Sequence, residues 1–231
     1  MKMFYEYGQA EMDYLKSRDK RLGEVIDRVG MVRRPIDGDI FIAVVRAILG
    51  QQISRQARET VYERMAAAMN PVTPQRMAEY TVPELQAFGT SFKKAEYLYD
   101  FTSLVASGEF DLEPLRDLPD EEVIHRLSEL KGIGVWTAEM LLTSALGRND
   151  VFSFGDLAIH RGLRMVYRHK EITREMFERY RKRYSPYGTV ASMYLWAVAA
   201  GAIPELTDPK ESKKRRQCHD RSGKISGGNQ Q

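Results

Sequence analysis

Apolar residues recur at three- and four-residue spacing along nearly the whole chain: Ile53, Ala57, Val61 and Met65; Val123, Leu127 and Leu130; Val135, Ala138, Leu142, Ala145 and Leu146; Val190, Tyr194, Ala197 and Val198. That period lays an apolar stripe along one face of a helix, whereas a half-buried strand requires alternation. No comparable set of alternating segments competes with it. Breakers at 35–38, 70–74, 88–91, 107–119, 131–134, 147–155 and 184–188 cut the pattern into about ten short helices. The spacing predicts an all-α fold with helices packed around one or two cores, and 231 residues suffice for either.

Composition narrows the classes left open. The longest apolar stretch, Tyr194 to Pro204, is too short to span a bilayer, so no membrane partner is expected. The first eight residues lack the basic, apolar and small-residue order of a secretory leader, which predicts an intracellular, cytoplasmic protein, nucleoid-associated in a prokaryote. A single cysteine, Cys218, excludes an internal disulfide, and no Cys/His spacing suits zinc or an iron–sulfur cluster. The net charge of +3 is weak support for a nucleic-acid partner. Residues 210–231 carry seven Lys/Arg against two acids, leaving a slightly acidic body, and their polarity predicts a disordered basic tail.

Two segments carry chemistry. In LSELKGIGVWTAEM, residues 127–140, one amphipathic helix ends at Gly-x-Gly and another begins at once. Gly132 and Gly134 permit a hairpin that presents helix N-terminal N–H groups to a phosphate, with Lys131 adding charge. A tight helix connection with glycine caps is the competing reading. About twenty residues on, Asp156 follows a Gly-containing turn and precedes another amphipathic helix. An aspartate there is ordinarily an N-cap. The same position keeps a carboxylate ionised, and a sugar developing oxocarbenium character needs an ionised carboxylate.

LKGIGVWTAEMLL followed by DVFSFGDLAIHRGL resembles the signature of the helix-hairpin-helix (HhH-GPD) DNA glycosylases, and within them the DNA-3-methyladenine glycosylase II branch. ILGQQIS, residues 48–54, and GTSFKKAEYL, residues 89–98, resemble further motifs of that branch in the expected order. The similarity covers residues 36–205 and leaves no room for an additional N-terminal β-rich domain, so a compact form is expected.

The resemblance implies two helical lobes with a DNA-binding cleft between them. Residues 36–135 would form the lobe ending in the hairpin, and 1–35 plus 136–209 the lobe carrying the catalytic aspartate. Asp156 takes the catalytic place. Trp136, Trp196, Gln51 and Met140 match pocket positions, Met140 standing where some relatives have tyrosine. Core packing is the competing reading for both tryptophans, and local hydrogen bonding for Gln51. Phe92 matches the wedge that fills the gap left by a flipped base, against the alternative of a core aromatic. Lys93, Lys94, Lys131, Gly132, Gly134, Gly188, Thr189 and Arg161 would meet the DNA backbone, although a solvated face explains Arg161 equally well. Trp136 stands where glycosylase/lyases carry an imine-forming lysine, so the implied enzyme is monofunctional and leaves an abasic site. The implied partner is damaged double-stranded DNA, bound by a monomer with no cofactor and no metal. Open alternatives are a glycosylase for an oxidised or deaminated base and a noncatalytic DNA-structure-binding protein.

Overall fold

The structure is a computed structural model describing residues 3–210, so the basic tail, Lys210 aside, lies outside the described residues. In chain order it runs β1 (Met3–Phe4), α1 (Gln9–Arg18), α2 (Lys20–Val29), β2 (Pro35–Ile36), α3 (Ile40–Gly50), α4 (Arg55–Met69), α5 (Pro74–Met77) and α6 (Val82–Ala87). It continues with α7 (Phe92–Ser107), a 3₁₀ turn at Glu113–Arg116, α8 (Asp120–Ser128), α9 (Val135–Ser144), α10 (Leu157–Tyr167), α11 (Arg174–Tyr184) and α12 (Gly188–Ala199). Twelve α-helices among the described residues exceed the ten expected, because α5 and α6 are too short to show a period. The antiparallel pair β1–β2 was likewise invisible to periodicity. No helix among the described residues is long and apolar enough to cross a membrane.

Starts are set by side-chain caps. Asp19, Asp39, Ser54, Thr73, Ser91, Asp156 and Thr173 each accept a hydrogen bond from a backbone N–H of the first turn that follows. The helices gather into two compact units. One holds residues up to Tyr5 together with Pro35–Arg148; the other holds Glu6–Arg34 together with the chain from Asn149 on. The passage between them falls after Arg148, whereas the sequence placed it after Val135. The reason is packing: α9 buries Ala138, Leu141 and Leu142 and lies against α8 and α3.

In the first unit, Phe41 stacks on Phe101 at 5.3 Å between centroids, within a core that includes Ile48, Met65, Leu98 and Leu127. In the second, α10 packs on α12 and both meet α2, around buried Leu22, Ile26, Leu163 and Tyr194. The α10–α12 crossing is close because position 162 is glycine: a Cβ there would lie 2.5 Å from the Leu195 carbonyl oxygen. Gly162 therefore fixes how near α12 comes to the middle of α10.

The last described turn is tied to α10 by buried Asp208, whose two oxygens accept from Arg164 at 3.0 and 2.5 Å. Those hydrogen bonds hold the Asp208 carboxyl below the usual carboxylate range. A folded-state pKa lowered in this way stabilises the fold above the ordinary carboxylate pKa, and that stability is lost as pH falls through the depressed value. Thermal melts followed from neutral pH down to about pH 3, below the ordinary Asp value near 4, are expected to show a shallower acid decline for Asp208→Asn than for wild type.

Candidate active site

In the second unit, Asp156 is both cap and buried carboxylate, with 5% of its surface exposed. Its Oδ1 accepts from the N–H groups of Ala158 at 2.8 Å and Ile159 at 3.0 Å. Its Oδ2 accepts from the indole Nε1–H of Trp196 at 3.1 Å. Three donors and the positive end of α10 thus hold one negative group in a fixed orientation. The two readings of Asp156 left open by sequence, cap and charge, are compatible in one side chain. The neighbouring Leu157 is 83% exposed, an apolar side chain beside the carboxylate that sequence reasoning passed over.

Trp196 is half-buried, and its edge is engaged with Asp156 while Arg34 lies over its ring, the guanidinium carbon 4.0 Å from the centroid. Arg161 is half-buried in α10. Gly188 and Thr189 correct the sequence expectation of a backbone-binding helix start. The Gly188 N–H donates to Asp150 Oδ1 at 3.0 Å, and the Thr189 N–H donates to the Asn149 carbonyl at 3.0 Å. Thr189 is buried, and its Oγ1 accepts from Val151 N–H. Both acceptors lie about 40 positions earlier in the chain, so no local sequence signal announced this capping.

In the first unit the hairpin joins α8 to α9. Gly132 has φ of +84°, and a Cβ there would stand 2.3 Å from Tyr97 Cδ2, so glycine is required twice over. Gly134 caps α9 with no side chain, and a Cβ at that position would meet nothing within 4 Å. Among the described residues, neither the Gly132 nor the Gly134 N–H donates to a protein acceptor. Gln51, expected near a base, instead donates its amide Nε2–H to the Gly132 carbonyl at 2.7 Å and braces the turn. Lys131 pairs with Asp100 at 2.7 Å on the surface, which raises its pKa, and an exposed pair of this kind contributes little to stability.

Phe92 is the first residue of α7 and 58% exposed, and Trp136 at the start of α9 is 50% exposed. Neither therefore follows the core-packing alternative. Met140 is half-buried on α9. Lys93 is exposed, with its ammonium 5.9 Å from the Tyr97 ring. Lys94 departs from expectation: its ammonium donates to the Leu49 carbonyl at 2.8 Å at the end of α3, and burial lowers its pKa. It satisfies a helix C-terminus instead of reaching for a phosphate.

The family model described as HhH-GPD superfamily base excision DNA repair protein matches residues 45–186, from within α3 to just past α11. DNA-3-methyladenine glycosylase 1 of Schizosaccharomyces pombe is 30% identical over 200 residues, which cover 84% of this chain and 87% of that protein. The crystal structure of DNA-3-methyladenine glycosidase from Bacillus halodurans is 31% identical, with a TM-score of 0.77 over 92% of this chain and 99% of its own. The structure of Schizosaccharomyces pombe 3-methyladenine DNA glycosylase in complex with abasic DNA gives a TM-score of 0.73 at 28% identity, over 83% and 97% of the two chains.

Proposed function

This chain belongs to the HhH-GPD superfamily of base excision DNA repair proteins, and from that premise we infer a monofunctional DNA glycosylase that hydrolyses the N-glycosidic bond of alkylated bases of the 3-methyladenine and 7-methylguanine type. The observation that carries the chemistry is the Asp156 carboxylate, buried and fixed by Ala158, Ile159 and Trp196.

As the bond from the anomeric carbon to the base nitrogen lengthens, its electron pair leaves with the base and positive charge grows on the sugar. A preorganised carboxylate stabilises that charge and orients a water, whose oxygen bonds to the anomeric carbon and whose proton is released. The products are a free base and an abasic site. A base methylated at N3 or N7 is already cationic, so it leaves as a neutral molecule and needs no proton from the enzyme. Its charge also favours the electron-rich face of an indole over water, and in the second unit Trp196 offers one bonded to Asp156. Tryptophan at 136 forms no imine with the sugar, so the strand stays intact. Phe92 fills the stack when the base leaves it, and the hairpin N–H groups and Lys131 hold the backbone. The protein acts as a monomer on damaged double-stranded DNA, in the cytoplasm, with the nucleoid as its place in a prokaryote.

The test is methylated duplex DNA incubated with the protein, with free bases resolved by chromatography and strand nicking followed in parallel. Release of methylpurines without nicking is the expected result. Nicking by the pure protein overturns the monofunctional reading, and no release from any methylated duplex transfers the reading to another lesion or to a noncatalytic binder.

The two hairpin glycines separate folding from binding. Gly132→Ala is expected to destabilise the first unit by about 2 kcal/mol, from a positive φ and a clash with Tyr97. Gly134→Ala is expected to melt as wild type does, because its methyl enters open space, yet to weaken duplex binding by holding the phosphate away from the α9 N-terminus. Melting curves paired with fluorescence anisotropy on labelled duplex distinguish the two.

A further inference from the structure

The aromatic face assigned to the lesion has an occupant in the free protein. Arg34, a half-buried residue, is the last of the second unit's N-terminal segment, and its guanidinium carbon lies 4.0 Å from the Trp196 ring centroid. The edge of the same indole is bonded to Asp156 Oδ2. A flat, delocalised cation stacked on an indole beside a catalytic carboxylate is also a chemical description of a methylpurinium in its pocket.

We propose that Arg34 is an internal stand-in for the cationic base, which a flipped lesion displaces from Trp196 on entry. The proposal rests on the reading of Trp196 as a base-stacking surface. Its consequence is a threshold. Every base competes with the same guanidinium, so apparent affinity is reduced by the fraction of molecules in which Arg34 has left the face. The ratio between cationic and neutral bases is unchanged, but weakly stacking neutral bases, already poorly bound, are kept at low absolute occupancy next to Asp156. An abasic site brings no base and displaces nothing.

That asymmetry gives the test. Arg34→Gln and Arg34→Lys are compared with wild type for binding to two duplexes. One carries a 7-methylguanine nucleotide with a 2′-fluoro sugar to resist cleavage, and the other a tetrahydrofuran abasic analogue at the same position. Removing a partly desolvated cation–aromatic contact is expected to tighten Arg34→Gln binding to the base-bearing duplex about fivefold, or about 1 kcal/mol, with abasic binding unchanged. Arg34→Lys should fall between, since a hydrated ammonium stacks less well. On cleavable 7-methylguanine duplex, kcat/KM should rise by a similar factor at constant kcat. Equal weakening on both duplexes would make Arg34 a phosphate contact, a fall in kcat would make it a brace for Trp196, and no change on either duplex would leave it without a part in base entry; each overturns the proposal. Failure of wild type to release any methylated base is a separate outcome and removes the glycosylase reading itself.

Discussion

Asp156→Asn is expected to keep the fold and its affinity for abasic duplex while losing base excision by about 10²–10³-fold, the scale of removing one preorganised electrostatic group. The amide oxygen at the Oδ1 position still accepts from Ala158 and Ile159, and asparagine is as good an N-cap as aspartate. What changes is the other branch. Its NH₂ would face the Trp196 Nε1–H, donor against donor, where a carboxylate oxygen now accepts at 3.1 Å. That mismatch costs about 1–3 kcal/mol of stability, and loss of the negative charge removes the transition-state term entirely. Single-turnover release of 7-methylguanine, corrected for spontaneous loss of this labile base, measures the second effect, and a melting curve measures the first. Wild-type release by Asp156→Asn would end the assignment of Asp156. Asp156→Ala provides the contrast: it forfeits the cap as well, for about 1 kcal/mol more, without restoring any activity.

The parts of this site legible in the sequence are those that local backbone chemistry dictates. The Gly-x-Gly pair declared a hairpin, of which Gly132 alone takes a turn that few other residues tolerate, and Asp156 declared a helix start because aspartate caps helices. Helical class followed from apolar spacing. Partnerships across the fold were not legible. The sequence types of Lys94, Gly188 and Thr189 suit phosphate binding, but their donors are taken by Leu49, Asp150 and Asn149, acceptors brought near by tertiary packing. Gln51 reads as a pocket residue until its amide is found on a carbonyl 81 positions away. The unit boundary after Arg148 depends on which neighbours the apolar face of α9 meets, and an amphipathic pattern does not name its partner. Arg34 offered no signal at all, being one arginine of a pair before a proline.

One signal was present and unread: a glycine inside a helix. Glycine at an interior position costs about 1 kcal/mol relative to alanine, so Gly162 in the middle of α10 asks for a compensating contact. The contact is the Leu195 backbone, at 2.5 Å from the carbonyl oxygen to where a Cβ would stand, with Leu195 Cβ at 2.9 Å. Gly162→Val is expected to destabilise the second unit by about 3 kcal/mol or more, the upper range for overpacking, because the obstructing atom is main chain and moves only if α12 moves. Trp196 is the next residue along α12, so the same displacement draws its indole away from Asp156 and excision falls together with stability. Gly162→Ala sets two effects against each other, a gain of about 1 kcal/mol in helix propensity and the loss from the clash; the clash should win, for a net loss of about 1–2 kcal/mol. Urea unfolding followed by tryptophan fluorescence, with base release measured on the same preparations, decides the matter. A Gly162→Ala protein more stable than wild type would mean that α10 and α12 are not held in contact at this point, and that the Trp196–Asp156 hydrogen bond has some other origin than their close crossing.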